Sequence, residues 1–260
     1  MVTKLQQKRQ AKQQRIKSRE RFVRARKATK TYSRQLKAVA ETVGRIVEGL
    51  APQGIVTNMP EIRNALERYA DLITPWAKAV ANQMLAEVAQ RDEVAWYELG
   101  RDVGVELRRQ ISAAPIAEAM RALQDEQVEL ITSLPRKAAQ RVHNLALEAT
   151  LSGTRAKETA QEIMRTGKVT ESRAMLIART ETSRTVTAIT EARATHIGSE
   201  QYIWHTAGDM DVRDLHQKLN GKVFRWDEPP IIGEDGERGH PGTIYNCRCY
   251  PEPILPDVIE

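Results

Sequence analysis

The segment L-K-A-V-A-E-T-V-G-R-I-V-E-G-L, residues 36–50, repeats its apolar side chains every three or four positions. This spacing keeps one face of a helix apolar and predicts an amphipathic helix that packs on a core. Pro52 and Gly54 then break the pattern. Aromatic residues make up only 5% of the 260 residues, and helical spacing recurs downstream, so the sequence predicts a mainly α protein. The apolar positions are Leu36, Val39, Val43, Ile46, Val47 and Leu50.

The chain that precedes this helix is strongly basic. Residues 1–30 contain twelve Lys or Arg against the single acid Glu20, a local net charge of +11, which leaves −5 for the remainder of a chain whose total is +6. Because this segment is poor in apolar residues, we predict a basic N-terminal arm, residues 1–31, that is disordered or becomes ordered on binding. DNA or an acidic protein surface is the expected partner, and a solubilising tail is the alternative. The candidate binding residues are Lys8, Arg9, Lys12, Arg15, Lys17, Arg19, Arg21, Arg24, Arg26 and Lys27.

The chain that follows the first helix continues as an elongated helical body, residues 32–168. Four prolines, Pro60, Pro75, Pro115 and Pro135, stand where new helices are expected to begin, because proline is tolerated in the first turn. We find no group of chemically reactive residues in this body. No apolar run is long enough to cross a bilayer and the N-terminus has no signal-peptide core, so we expect a protein made in the cytoplasm with no membrane partner.

A last long helix is expected from about Glu171 to Ile197, and the composition changes after Gly198. The helix contains Glu181 and Arg184 at the i, i+3 spacing of a surface ion pair. Segments rich in β-favouring residues follow, at 202–204, 223–226 and 244–250. Residues 169–260 therefore predict a small C-terminal α+β module with short antiparallel strands.

The C-terminal module also gathers reactive side chains. Both cysteines and three of the five histidines lie from Trp204 onward. Cys247 and Cys249 are too close in sequence for an unstrained disulfide, but on a strand their side chains would share one face. With His216, and with His205, Asp209 or His240 as a further ligand, they form a candidate zinc site. Because C-x-C is narrower than the usual C-x2-C, buried free thiols are the alternative and no cofactor is certain.

A second chemistry is available to residues of the same region. His216 as a base, Asp209 as a metal ligand or orienting group and Arg213 as an anion clamp would suit a metal-dependent nuclease. The same residues also suit a hydrogen-bonded turn in which Asp209 caps a helix containing Arg213 and His216. We favour the structural interpretation, because no second acidic cluster completes a metal site, and predict that the protein is not an enzyme.

In order and spacing, these elements resemble the phage head-morphogenesis domain of Mu F-like minor head proteins. The resemblance runs from about Ser172 to Pro253. It rests on A-R-T-E at 178–181, the strand at 202–204, L-N-G at 219–221, V-F-R-W-D-E-P at 223–229, H-P-G at 240–242 and C-R-C at 247–249. Asp211 departs from the pattern, where a basic residue is more usual. The signature residues are Arg179, Glu181, Trp204, Asp209, Arg213, Gly221, Pro241, Gly242 and Arg248.

The resemblance implies a low-copy structural protein of a tailed-phage head, associated with the portal vertex and active in DNA packaging or delivery. The implied partners are the portal protein, the major capsid or scaffolding protein, and packaged DNA through the N-terminal arm. The implied location is the interior of the virion head near the portal, after assembly in the bacterial cytoplasm. The family implies no established catalytic residues. Related domains are fused to toxins, but no additional catalytic domain is evident in this sequence.

Overall fold

The computed structural model describes residues 4–50, 58–100, 114–152 and 156–255, with side chains described for residues 27–50, 58–98, 114–152 and 157–255. The fold is mainly α with one small antiparallel sheet, as predicted. In this part of the chain, no helix is sufficiently long and apolar to cross a membrane. The elements are α1 Lys4–Leu50, α2 Met59–Leu72, α3 Thr74–Gly100, α4 Ile116–Ser152, α5 Ala156–Met164, α6 Thr166–His196, β1 Gln201–His205, α7 Asp214–Leu219, β2 Val223–Arg225 and β3 Tyr250–Pro253.

The expectation that Pro135 begins a helix is wrong, since α4 continues through it. A proline inside a helix removes one backbone hydrogen bond and crowds the carbonyl of residue i−4, here Ile131. However, Ile131, Leu134 and Ala138 are all buried on the same side of α4. Burial of this apolar stripe on both sides of the proline outweighs the lost backbone bond. The other expected helix starts, at Pro60, Pro75 and Pro115, agree with α2, α3 and α4 to within a few residues.

The chain divides into two compact units, and one of them comprises residues 30–83 and 124–178. Its core joins apolar residues of α1, α2, α4 and α5. Gly167, in the first turn of α6, makes a close approach to α1. A Cβ built there would lie 3.0 Å from the Cα of Gly44, so two glycines allow the backbones to meet. The core residues are Val43, Val47, Ile62, Leu66, Ala138, Ala139, Val142 and Ile163.

The other unit, called the C-terminal unit below, comprises residues 1–29, 84–123 and 179–260 and contains the sheet. The strand order is β2-β1-β3 with antiparallel pairing on both sides of β1. Strand β3 begins only at Tyr250, later than the predicted segment 244–250, because residues 241–246 form turns. The core of this unit combines Trp96 of α3 with residues of α6, the sheet, α7 and the C-terminal loops. These residues are Ala194, Ile197, Tyr202, Trp204, Leu219, Trp226, Ile232, Cys247 and Cys249.

A buried ion pair within this unit joins α3 to α6. The Nε atom of Arg193 lies 3.0 Å from Oδ2 of Asp92, and each side chain is only 3% exposed. The hydroxyl of Thr190 also donates to Oδ1 of Asp92 at 3.2 Å. No local pattern in the sequence indicates this pairing, because the two residues belong to different helices. The division of the chain into domains 1–31, 32–168 and 169–260 remains a prediction.

Candidate functional site

The structure brings together three of the predicted metal ligands. The Nδ1 atom of His216 lies 3.4 Å from Sγ of Cys247 and 3.5 Å from Sγ of Cys249. The three ligand atoms lie within 4.8 Å of one another, and all three side chains are buried. Both cysteines are free thiols. The C-terminal unit thus contains a compact cluster of two cysteines and one histidine, called the thiol–imidazole cluster below.

Helix α7 and the loop after β2 fix the orientation of His216. Its Nε2 atom lies 3.1 Å from the carbonyl oxygen of Ile232. Because a carbonyl only accepts, Nε2 carries the proton, and the lone pair of Nδ1 faces the two sulfurs. Edge contact with the indole of Trp204, with ring centroids 5.3 Å apart, holds the plane of the imidazole. The ring therefore presents a fixed acceptor to the cysteines.

The two thiols differ in acidity because they interact with each other. Hydrogen bonding from Cys249 lowers the pKa of Cys247 to about 4, against the opposing effect of burial. The same hydrogen bond, together with burial, raises the pKa of Cys249. One sulfur of the pair is consequently favoured as a thiolate at neutral pH.

The loop that carries the cysteines is anchored to α6. The backbone N–H of Asn246, which has a φ of 57°, donates to Oγ1 of Thr180 at 3.1 Å. The hydroxyl of Thr187 donates to the carbonyl of Pro241 at 2.6 Å. Gly242, at φ +84°, leaves no room for a side chain, because a Cβ would approach the carbonyl oxygen of Cys249 to 3.2 Å. These contacts direct both sulfurs inward.

Arg248, between the two cysteines, points the other way and binds Asp209. Its guanidinium makes a bidentate pair with the Asp209 carboxylate, with N–O distances of 2.5 and 2.7 Å, and contacts Asp211 at 3.4 Å. The expectation that Asp209 caps α7 is therefore wrong. Arg213 is itself the N-cap residue and makes no side-chain cap. Its guanidinium donates instead to the carbonyl of Tyr245 at 2.7 Å.

His205 does not join the thiol–imidazole cluster. Its Nε2 atom lies 2.5 Å from Oε2 of Glu252, across the β1–β3 pair, and its ring stacks on Tyr250 at a centroid distance of 5.2 Å. The cluster is the candidate metal site found among the described residues, and it does not include His205. Glu252 was not expected as a partner, because its segment was not assigned to a strand.

The remaining signature residues have structural positions. Gly221, at φ +78°, donates its N–H to the carbonyl of Trp204 at 2.8 Å and closes the turn between α7 and β2. Glu181 is buried and lies 3.2 Å from Arg184, so the expected surface ion pair is a largely buried one. Arg179 is exposed on α6.

His240, which the sequence offered as a further zinc ligand, does not join the thiol–imidazole cluster and has other partners. The Nδ1 atom of His240 lies 3.1 Å from the hydroxyl of Tyr202, and its Nε2 atom lies 3.6 Å from Oε1 of Glu191. Burial lowers the pKa of His240 and raises the pKa of Glu191, so both groups are held towards their neutral forms. The H-P-G motif was the available signal, but it did not reveal the partners on α6 and β1.

Residues 4–31 of the basic arm are helical and form the first part of α1. The side chains of residues 1–26 lie outside the described part of the structure, so the proposed contacts of Lys8 through Arg26 stay a prediction. Lys27, the last residue of the set, is exposed.

Comparison with known proteins places the chain among phage-related sequences. Residues 140–251 match the family model described as "Phage Mu protein F like protein", which begins earlier than the resemblance noted above and confirms it. An uncharacterized protein of Haemophilus influenzae (strain ATCC 51907 / DSM 11121 / KW20 / Rd) is 32% identical over 197 residues, 75% of this chain but 43% of that protein. The minor head protein GP7 of Bacillus phage SPP1 is 26% identical over 250 residues, 85% of this chain and 78% of GP7. This chain thus spans less than half of the first relative. No solved structure matches it.

Proposed function

We propose, from the match of residues 140–251 to the family model described as "Phage Mu protein F like protein", that this chain is a minor structural protein of a tailed-phage head. The observation that carries the proposal is the family match, together with a similarity to a minor head protein that extends over 85% of the chain. We further propose that the protein acts at the portal vertex, in head assembly and in DNA packaging or delivery.

The geometry of the C-terminal unit supports a structural role over a nuclease. Each residue of the nuclease hypothesis is engaged within the fold. The Asp209 carboxylate is neutralised by Arg248, Arg213 binds the carbonyl of Tyr245, and His216 is held by a backbone carbonyl and two thiols. A general base needs access to a water or substrate proton, and His216 is only 1% exposed. These side chains therefore stabilise a small fold.

The proposal is tested by the location of the protein. We expect the chain to copurify with heads when it is coexpressed with the portal, scaffolding and major capsid proteins of its own phage. Heads assembled with a tagged chain should show extra density beside the portal, which is absent from heads assembled without it. A chain that stays in the soluble fraction while complete heads form would refute a structural role in the head.

A cleavage assay tests the nuclease alternative. The purified protein is incubated with plasmid DNA and Mg²⁺ or Mn²⁺, with His216→Ala as the variant and His143→Ala, which changes an exposed histidine outside this region, as the control. We expect no cleavage from any of the three. Metal-dependent nicking by the wild type and by His143→Ala, but not by His216→Ala, would establish the enzyme.

We propose that the basic arm binds packaged DNA. Deletion of residues 1–26 removes the charge but retains Ala28, which is only 1% exposed. We expect weaker DNA binding and a shallower salt dependence, since each lost phosphate contact reduces the slope of log K against log[salt] by about 0.9. A matched control replaces three exposed lysines elsewhere, Lys78, Lys218 and Lys222, by Gln. If the truncated protein and the lysine control lose DNA affinity equally, or if the truncated protein loses none, the arm must bind another partner.

A further inference from the structure

We propose that His216, Cys247 and Cys249 bind one zinc ion, with solvent from the adjacent pocket at the fourth position. The ligand atoms are Nδ1 of the histidine and the two Sγ atoms. This site does not depend on the proposed role in a phage head, and its metal content can be measured on the isolated protein.

The spacing of the three donors fits a tetrahedral zinc ion. Zinc lies about 2.3 Å from a thiolate sulfur and about 2.0–2.1 Å from an imidazole nitrogen, so a tetrahedral angle places N and S about 3.5–3.6 Å apart. The structure has 3.4 and 3.5 Å for the two N–S pairs. These two distances match, and the three donor atoms lie within 4.8 Å of one another, so one ion can be placed among them.

Hydrogen bonds to His216 alone do not account for the positions of both sulfurs. The unprotonated Nδ1 atom of His216 has one lone pair, which lies in the ring plane and accepts one proton well. Yet the two sulfurs lie at nearly equal distances from this atom, so it cannot serve both equally as an acceptor. A cation between the three atoms satisfies both sulfurs and the nitrogen at once, because thiolate and neutral imidazole are the donors that zinc prefers.

The surroundings hold the donors in place before any metal arrives. The carbonyl of Ile232 accepts the Nε2 proton of His216, which is the outer contact that orients metal-binding histidines. The N–H of Cys247 donates to the carbonyl of Ile244 at 3.0 Å and tightens the turn before the first cysteine. The pair of Arg248 with Asp209 fixes the residue between the two cysteines. Metal binding would thus join α7 to the C-terminal loop at a prepared site.

The fourth position faces a small pocket at the surface. The pocket is lined by the three donors and by Ala207, Asp211, Val212, Arg213, Asn246 and Arg248. Asp211 is largely exposed, and its carboxylate contacts Arg248. Because this carboxylate is directed towards Arg248, we assign the fourth position to water from the pocket. Three protein ligands and one water make the ion exchangeable, unlike the closed sites of structural zinc domains, in which the protein supplies all four ligands.

Metal analysis of the full-length chain tests the site directly. We expect about one zinc per chain after purification under reducing conditions. Cys249→Ser and His216→Gln should each lower the content at least tenfold. Two controls, His143→Gln at an exposed position and His205→Gln at the buried pair with Glu252, should retain it. Equal zinc in the wild type and the two ligand variants would overturn the proposal.

A measurement on the wild type avoids reliance on variants that fail to fold. Removal of zinc by a chelator should lower the unfolding midpoint, and Zn²⁺ but not Mg²⁺ should restore it. Replacement of zinc by Co²⁺ should give an intense thiolate-to-cobalt absorption and the visible bands of a tetrahedral ion. A chain that stays folded without metal, binds neither ion and gives no such spectrum would refute the site. If His205→Gln loses the cobalt spectrum and His216→Gln keeps it, the metal ligand is His205 and not His216, which would also refute the proposed site.

Discussion

The buried pair between Arg193 and Asp92 gives the sharpest test of what stabilises the C-terminal unit. Replacement of Arg193 by Met keeps a long side chain but leaves the Asp92 carboxylate, 3% exposed, without its cation. Removal of one partner from a buried ion pair costs about 3–5 kcal/mol, because the remaining charge stays desolvated. For a protein of this size, each kcal/mol lowers the unfolding midpoint by about 2–4 °C, so we expect a fall of about 6–20 °C.

The double variant Arg193→Met with Asp92→Leu separates the charge from the packing. Two apolar side chains of similar volume leave no uncompensated charge, and such replacements are often neutral or stabilising. We therefore expect the double variant to recover most of the loss, with a coupling energy of about 2 kcal/mol or more. If the double variant instead loses as much free energy of unfolding as Arg193→Met and Asp92→Leu lose together, the two residues are not coupled, and the loss is not due to the ion pair.

The assay is urea unfolding followed by tryptophan fluorescence. Three of the four tryptophans, Trp96, Trp204 and Trp226, belong to the core of the same unit, so the signal reports on the pair's surroundings. A matched control is Arg225→Gln, which breaks exposed pairs with Asp227 and Glu200 at the end of β2 in the same unit and should leave the midpoint unchanged. If Arg193→Met changes the free energy of unfolding by less than about 1 kcal/mol, the reasoning from desolvation is refuted.

Two further predictions concern a close helix contact and a buried histidine. Gly167→Ala should lower the free energy of unfolding by about 1–3 kcal/mol, because its Cβ would meet the backbone of Gly44 at 3.0 Å. The control Gly49→Ala, whose Cβ would have nothing within 4 Å, should be neutral or stabilising by up to about 1 kcal/mol. Equal midpoints for the two variants in thermal unfolding would contradict the close contact. Burial lowers the pKa of His240 from 6.5, so the unfolded chain binds its proton first as the pH falls, and stability present above that value should be lost below it. His240→Gln should flatten this loss in unfolding midpoints measured between about pH 7 and pH 5, and an unchanged pH profile would show that another group titrates.

The helical part of the fold was predictable because it depends on local spacing. The apolar period of residues 36–50 and the prolines at 60 and 75 predicted helices that the structure has in place. Pro135 was misinterpreted, because the rule for proline considers only the backbone, whereas α4 is maintained by apolar contacts on both sides. Strand β3 was misplaced, because β-favouring residues do not reveal turns that depend on a positive φ at Asn246.

The candidate site was likewise predictable only in its local features. The two cysteines, two residues apart, were enough to name Cys247 and Cys249 as candidate ligands, because residue chemistry and short spacing are local properties. Which histidine completes the group was not local. His205 and His216 are equally plausible in the sequence, but antiparallel pairing of β1 with β3 brings Glu252 to His205.

The amino-acid order alone therefore established a mainly α chain, a basic N-terminal segment and a reactive C-terminal module with the signature of a phage protein family. Each of these depends on composition, on periodicity or on the spacing of nearby residues. The folded chain alone established the partners of buried polar groups, such as Asp92 with Arg193 and His240 with Glu191. These pairs join residues far apart in sequence, and a polar or charged group removed from water must find a partner wherever the packing of the helices places one.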